Sequence, residues 1–219
     1  MNDVRRVAII GGNRIPFARS NTIYSKASNQ EMLTVTLQGL VDRFNLHNAT
    51  IGEVAGGAVM KHSKDFNLVR ESVLSTSLAP ETPAFDLQQA CGTGLEACIL
   101  VANKIALSQI ESGIACGVDT TSDAPIAINE KMRRILLQVN GAKSTGQRLS
   151  ILSKLRPSML FKPVLPRNGE PRTGLSMGEH AELMAREWQI SRENQDQFTL
   201  SSHKKLLQAY DQGLFNDLM

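Results

Sequence analysis

One segment limits the possible folds more than any other: a short apolar strand that leads through a glycine-containing turn into an apolar helix. The strand is predicted over 84–87, the turn carries Cys91, Gly92 and Gly94, and the helix follows over 95–107. A helix that is small and apolar all round should be buried on most of its sides. Strand and helix also alternate elsewhere, which predicts an α/β fold whose sheet carries helices on its faces.

The other periodic segments fit the same pattern. Further strands are predicted at 4–10, 54–60 and 114–118, and further helices at 68–78, 178–188 and 191–213. A helix that reaches about Phe44 begins after Ser28, because Ser28 with Glu31 three residues later forms a capping box. Ser191 is a predicted N-cap and Gly213 a predicted residue just past the C-cap.

Residues 120–175 interrupt this alternation with Pro, Gly and many cations. Between Lys131 and Arg172 there are ten Lys or Arg and one acid, while the whole chain has a net charge of only +3. We therefore expect three parts: an αβ core over 1–119, a basic loop subdomain over 120–175, and helices over 176–219 that return to the core.

The basic stretch, residues 131–172, implies an anionic partner for one surface. Most such stretches are solvated surface, but 132–137 and 151–156 mix apolar and cationic residues at helical spacing. That mixture is typical of contact with an anionic membrane, a partner helix or phosphate groups. Since the rest of the chain is mildly acidic, we do not expect a nucleic-acid-binding protein.

Composition also limits the compartment and the cofactors. Three cysteines are too few for a disulfide framework, and none of them forms a CxxC pair, so we expect no structural metal site. No run reaches the roughly 18 apolar residues that a membrane span needs. These observations favour a cytoplasmic protein. Gly11 and Gly12 follow a predicted strand, but they do not fit the dinucleotide pattern G-x-G-x-x-G.

Cys91 is the main candidate for chemistry. It lies where a strand ends and a helix begins, and free N–H groups at such a point favour negative charge. A thiolate there is a competent nucleophile, and the neighbouring glycines leave room for a large electrophile. The alternative is a small buried cysteine that fills a helix end. Cys98 and Cys116 are expected to belong to the core.

Five motifs in order resemble the N-terminal half of the thiolases. They are VAIIGGNRIPFAR at 7–19, ACGTGLEA at 90–97, CGVDTTSDAP at 116–125, GLSMGEHAELMA at 174–185 and ISRENQDQFTLSSHKKLLQAYDQGLF at 190–215. The resemblance implies a thiolase-like α/β fold, present here as the N-terminal αβ half, with a mixed sheet, helices on both faces and a loop subdomain. The β-ketoacyl synthases share that fold and a cysteine at a helix start, but the last two motifs favour a thiolase.

The resemblance also implies an activity. Cys91 would attack a 3-ketoacyl-CoA and carry the acyl group, and Met177 would lie beside the acyl group and pantetheine. CoA and acyl-CoA would be substrates, with no permanent cofactor, and the 120–175 region would receive CoA. The insert at 131–165 resembles the β-oxidation branch, which implies either a complex with a hydratase/dehydrogenase subunit or a homo-oligomer.

Two thiolase elements are missing from the sequence. The family's activating His, in a Gly-His-Pro context, and its acid/base Cys, in a Cys-x-Gly-x-Gly context, belong to the second half, and neither pattern occurs here. We therefore expect the C-terminal thiolase domain to be absent and this chain alone to be inactive. A non-catalytic module of thiolase fold, which binds CoA, a membrane or a partner, remains the alternative. In the family the two halves pack their central helices together, so Leu95, Ile99 and Ala102 are expected to be exposed.

Overall fold

A small parallel sheet lies at the centre of the core in the computed structural model, which describes residues 4–160 and 162–216. Its strands are β1 (Val54–Gly56), β2 (Ala84–Asp86) and β3 (Ile114–Ala115). The order is β2-β1-β3. Val54 of β1 lies opposite Ala84 on one side and opposite Ile114 on the other.

All the described strands are parallel, so the mixed sheet that we expected is not found among them. The connections explain this, because each one is a helical crossover. Helix α2 (Leu68–Leu74) joins β1 to β2, and α3 (Thr93–Ala106) joins β2 to β3. Such a crossover returns the chain to the start of the next strand, which makes neighbouring strands parallel.

Helices cover both faces of this sheet, as predicted. Successive residues of a strand point to opposite faces, and Val54 and Ala55 are both fully buried. Val54 packs in an apolar cluster with α1 (Asn29–Arg43) and α2, whose buried members include Leu33, Leu37, Val41, Leu68, Val69 and Val73. Ala55 packs on the other side with Ala97 and Val101 of α3.

Helix α1 begins where its capping box predicts. The hydroxyl of Ser28 accepts the N–H of Glu31 at 3.2 Å, and the Glu31 carboxylate accepts the Ser28 N–H at 2.8 Å. The Ser28 hydroxyl also donates to that carboxylate at 2.9 Å. These hydrogen bonds stabilise the charged form, so they lower the pKa of Glu31.

The strand predicted over 4–10 is not formed, so that prediction is wrong. Ile9 is 93% exposed and Ile10 is 86% exposed. The Arg5 N–H donates to the Ala106 carbonyl at the end of α3 (3.2 Å), and the Arg5 side chain pairs with Glu111. The segment is therefore tied to the end of a helix instead of a sheet edge. A β-rich composition makes a strand only where a partner strand is within reach.

Residues 124–167 form one compact unit, and the remaining described residues form another. The unit contains α4 (Glu130–Gly141), α5 (Thr145–Leu152) and α6 (Pro157–Leu160). It lies within the range predicted as a basic loop subdomain with short helices. The predicted bounds of the three parts, 1–119, 120–175 and 176–219, stay a prediction. Residues 1–3 of the first part and 217–219 of the last lie outside the described residues.

The last two helices are α7 (Met177–Glu187) and α8 (Arg192–Asp211). Ser191 caps α8 through its hydroxyl, which accepts the Asn194 N–H at 3.2 Å, and Gly213 has a left-handed φ of 67°. Both positions confirm the predicted ends. Neither helix buries a side chain in the described part of the chain. Among the described residues, no helix is long and apolar enough to cross a membrane.

Candidate active site

Cys91 lies in the turn between β2 and α3, and its side chain is exposed. The Gly92 N–H donates to the Gln89 carbonyl at 2.9 Å. The Thr93 N–H donates to the Ala90 carbonyl at 3.2 Å. These bonds close the turn two residues before α3 begins, where helix N–H groups lack partners and the helix dipole favours an anion. Because the sulfur is exposed, the alternative of a buried cysteine that fills a helix end is wrong.

The strand before this turn is held in place by Asp86, whose side chain is only 10% exposed. Its carboxylate accepts the Leu68 N–H at 3.1 Å and the Val69 N–H at 2.7 Å. Lys61 also donates its Nζ to Asp86, at 2.9 Å. A buried carboxylate is stable only with partners of this kind. Asp86 thus joins the end of β2 to the start of α2, five residues before Cys91.

Two further contacts hold the neighbouring loops. The Asp119 carboxylate, after β3, accepts the N–H groups of Val59 (2.8 Å) and Met60 (2.9 Å), after β1. A side-chain Cβ at Gly57 would lie 2.1 Å from the Leu87 carbonyl oxygen. Only glycine fits where the end of β1 passes so close to the end of β2. The loops that follow all three strands are therefore fixed relative to one another.

The other two cysteines differ in their surroundings. Cys98 is exposed, so the expectation that it belongs to the core is wrong. The reason is that its helix, α3, is open to solvent on one side, with Leu95 68% exposed and Ile99 43% exposed. Cys116 is partly buried against the core, as expected. Burial, and next the nearby charge of Asp86, raise the pKa of the Cys116 thiol to about 12.

We expect iodoacetamide at pH 8 to alkylate Cys91 and Cys98 while Cys116 reacts at least about 100-fold more slowly. Only the thiolate reacts, and the raised pKa keeps Cys116 almost entirely protonated at that pH. Peptide mass mapping of a time course measures the three rates. The same protein in denaturant is the control, since all three thiols should then react alike. Equal labelling of Cys116 in the folded chain would contradict the assignment.

No described hydrogen bond links Cys91 to a histidine. Three histidines have partners elsewhere: Ser77 for His47 (2.8 Å), Asp123 for His62 (3.0 Å) and Thr173 for His180 (3.0 Å). His203 is exposed on α8. None of the four histidines is linked to Cys91 by a described hydrogen bond, and the expectation that none of them is the activating histidine stays a prediction.

Met177, the other predicted site residue, is the first residue of α7 and is 65% exposed. No hydrogen bond or ion pair among the described residues links α7 to the turn of Cys91. The described residues therefore fix the position of Cys91 but do not bring Met177 to it by such contacts.

Two residues beside the site were not predicted from the sequence. Asp86 had a signal, because it is a lone carboxylate in an otherwise apolar strand, and a buried charge of that kind calls for partners. Thr93 had no sequence signal apart from its position between Gly92 and Gly94. Its hydroxyl bonds to the backbone of the Cys91 turn, which no spacing pattern shows.

The chain is similar to known proteins in sequence and in fold. Residues 7–219 match the model of the thiolase N-terminal domain. A 3-ketoacyl-CoA thiolase from Escherichia fergusonii is 37% identical over 98% of this chain and 49% of its own length. The mitochondrial trifunctional enzyme subunit beta of Bos taurus is 34% identical over 99% of this chain and 46% of its own length. The chain thus spans about half the length of the curated relatives it matches.

A solved structure shares the fold. The acetyl-CoA acetyltransferase of Bacillus anthracis matches with a TM-score of 0.69 and 21% sequence identity. The match covers 91% of this chain and 46% of the other. The predicted thiolase-like α/β fold is confirmed by these findings.

Proposed function

The chain belongs to the thiolase family, and from that premise we propose that it is the nucleophile-bearing half of an acyl-CoA C-acyltransferase. The observation that carries the proposal is the exposed thiol of Cys91 in the turn at the start of α3. A thiol in that place is open to an acyl donor, and the backbone around it favours the anion.

In the proposed reaction Cys91 acts as a thiolate on a 3-ketoacyl-CoA. The sulfur bonds to the 3-keto carbon, the C2–C3 bond breaks, and C2 takes a proton as acetyl-CoA leaves. The thiol of a second CoA then attacks the acyl carbon, the bond from that carbon to the Cys91 sulfur breaks, and acyl-CoA leaves with Cys91 restored. The same steps in reverse condense two acyl-CoA units, so the site suits fatty-acid β-oxidation or acetyl-CoA condensation.

The proton transfers need groups that the described residues do not place at Cys91. A base must take the proton of each attacking thiol, and an acid must protonate C2. Because the matched relatives are about twice as long, we propose that a second half of similar length supplies both groups. Cys91 without them keeps only its activation by the helix terminus, so we propose that the chain alone is inactive.

We propose CoA and acyl-CoA as substrates, with no permanently bound cofactor. We propose that the basic stretch, residues 131–172, supplies cations for the phosphates of CoA, because it contains ten Lys or Arg and one acid. Met177 is proposed to contact the acyl group and pantetheine, for which its exposed thioether is suited.

The open side of α3 supports the two-half arrangement. Leu95 and Ile99 are large, apolar and exposed, and Ala102 beside them is partly covered. We propose that the second half packs on this α3 face, which consists of Leu95, Ile99 and Ala102. Contiguous apolar surface of this kind is typical of an interaction site.

The purified 219-residue chain is expected to self-associate, because the α3 face has no cover. Sedimentation velocity over a concentration series measures this, and changing Leu95 and Ile99 to serine should reduce it. The matched control changes Val35 and Leu74, which are 63% and 46% exposed on α1 and α2. A monodisperse monomer at all concentrations would contradict the proposed role of the face.

The surface of the unit formed by residues 124–167 is also suited to contact with a membrane. Its exposed apolar residues lie on the same helices and loops as its cations: Leu136, Leu137, Leu149 and Leu152 are 38%, 57%, 64% and 37% exposed. Apolar and cationic side chains together suit the surface of an anionic bilayer. We therefore propose a cytoplasmic protein with a peripheral contact to anionic membrane through residues 131–172.

The named relative from Bos taurus is one subunit of a trifunctional enzyme. By analogy we propose that the complete protein works either as a homo-oligomer or beside a hydratase/dehydrogenase subunit.

A fusion protein that contains both halves of a thiolase, called the completed protein below, tests the proposal. Fusing this chain to the C-terminal half of the Escherichia fergusonii thiolase should give thiolysis of acetoacetyl-CoA, and the chain alone should give none. The alternative, a non-catalytic module that binds CoA, a membrane or a partner, predicts no activity in either protein.

A further inference from the structure

Thr93 makes two hydrogen bonds to the backbone of the turn that carries Cys91. Its hydroxyl donates to the Ala90 carbonyl at 2.7 Å and accepts the Gln89 N–H at 2.9 Å. The side chain thus bridges the two residues that precede the cysteine. Thr93 is 5% exposed, so water does not compete freely for these bonds.

The backbone at this bridge is strained. Ala90 has a φ of 46°, in the left-handed region, where a Cβ crowds the following carbonyl. Such a conformation persists only where its surroundings hold it. The Thr93 hydroxyl holds it from both sides, through the carbonyl of Ala90 and the N–H of Gln89.

The methyl group of Thr93 is fixed as well. It lies 3.3 Å from where a Cβ would stand on Gly57, at the tight crossing of β1 and β2. A β-branched side chain has few χ1 rotamers, and this packing selects one of them. The methyl group therefore keeps the hydroxyl aimed at the turn.

We propose that Thr93 is a positioning residue for Cys91: its hydroxyl holds the strained turn so that the sulfur stays at the start of α3. The effect of the Thr93 hydroxyl on catalysis rests on the proposed role of Cys91 as nucleophile. Without the hydroxyl, Ala90 relaxes, and Cys91 is no longer held beside the free N–H groups at the start of α3.

Alkylation of the 219-residue chain tests the inference without any turnover. Iodoacetamide labelling at pH 7 gives the rate of Cys91 relative to that of Cys98, an internal reference on α3. Thr93→Val keeps the shape and removes the hydroxyl, and we expect the ratio at pH 7 to fall about fivefold. Thr93→Ser keeps the hydroxyl and should restore the ratio to within about twofold.

Thr82→Val is the matched control. Thr82 is fully buried, its hydroxyl accepts the Ile51 N–H at 3.2 Å, and no described hydrogen bond links its side chain to the turn. We expect this control variant to lower the unfolding temperature and to leave the ratio of the Cys91 rate to the Cys98 rate unchanged. A ratio unchanged in Thr93→Val, or one that falls equally in Thr82→Val, would overturn the inference.

A second pair of variants covers the case in which Thr93→Val does not fold. The ratio in Thr93→Ala must then lie below that in Thr93→Ser, and equal ratios would overturn the inference. The outcome is separate from the proposed function. A ratio that depends on the Thr93 hydroxyl, together with no acyl transfer by the completed protein, removes the function and leaves the positioning role.

Discussion

Replacing Cys91 by alanine is expected to lower thiolysis by the completed protein at least about 10⁴-fold, because the acyl group then has no acceptor. The protein should still fold, since the exposed Cys91 side chain is not part of the core cluster. The substitution removes only the sulfur, so substrate binding should persist. We therefore expect the loss in kcat, with the folded state as stable as before. Initial rates with acetoacetyl-CoA and CoA measure the effect.

Cys98→Ala is the control for this prediction. Cys98 is also exposed and lies on α3, seven residues after Cys91. Its replacement should leave kcat within about twofold, since nothing places it at the turn. A Cys91→Ala protein that keeps a substantial part of the activity would show that another group carries the acyl chain.

Removing four cations from unit 124–167 is expected to weaken binding to anionic vesicles about 10³-fold. Lys143, Arg148, Lys154 and Arg156 are exposed and form no ion pair among the described residues. Each Lys or Arg near an anionic surface contributes about 1 kcal/mol, so four contribute about 4 kcal/mol. Binding should also weaken at high salt, because screening shortens the reach of these charges.

Co-sedimentation with vesicles of anionic and of neutral lipid measures this binding. The matched control replaces four lysines outside the unit that are also exposed: Lys26, Lys64, Lys204 and Lys205. These substitutions remove the same amount of positive charge. It should bind nearly as well as the unchanged chain. Equal partitioning to anionic and neutral vesicles, or equal losses in both quadruple variants, would remove the membrane proposal.

Features that depend on neighbouring residues were predictable from the sequence. The capping box of Ser28 and Glu31 starts α1, and the pair needs no other part of the chain. Cys91 was located for the same reason, because the glycines around it mark a turn between a strand and a helix. Gly213 likewise ends a helix by its own left-handed conformation.

Features that depend on distant partners were not predictable. The 4–10 segment has the composition of a strand, yet Ile9 and Ile10 remain exposed because no strand pairs with them. Cys98 shows the same dependence, since its exposure follows from what covers α3 and not from its own type. Asp86 meets Lys61 across 25 residues of sequence, and no local pattern pairs them.

The site was predicted in part for a related reason. Cys91, the proposed nucleophile, lies in a turn that the local sequence marks, whereas the hydroxyl of Thr93 contacts Gln89 and Ala90 only in the folded chain. The roles of Met177 and of the cations for CoA came from resemblance, and they stay proposals.

The most direct test of the proposed role of Cys91 is to identify the residue that carries the acyl group. The completed protein is incubated with acetoacetyl-CoA in the absence of free CoA, quenched in acid, digested and mapped by mass spectrometry. We expect an acetyl group on the peptide that contains Cys91, and we expect it to disappear when CoA is added before the quench. An acetyl group on a different residue, or turnover with Cys91 unmodified, would contradict the claim that Cys91 is the nucleophile.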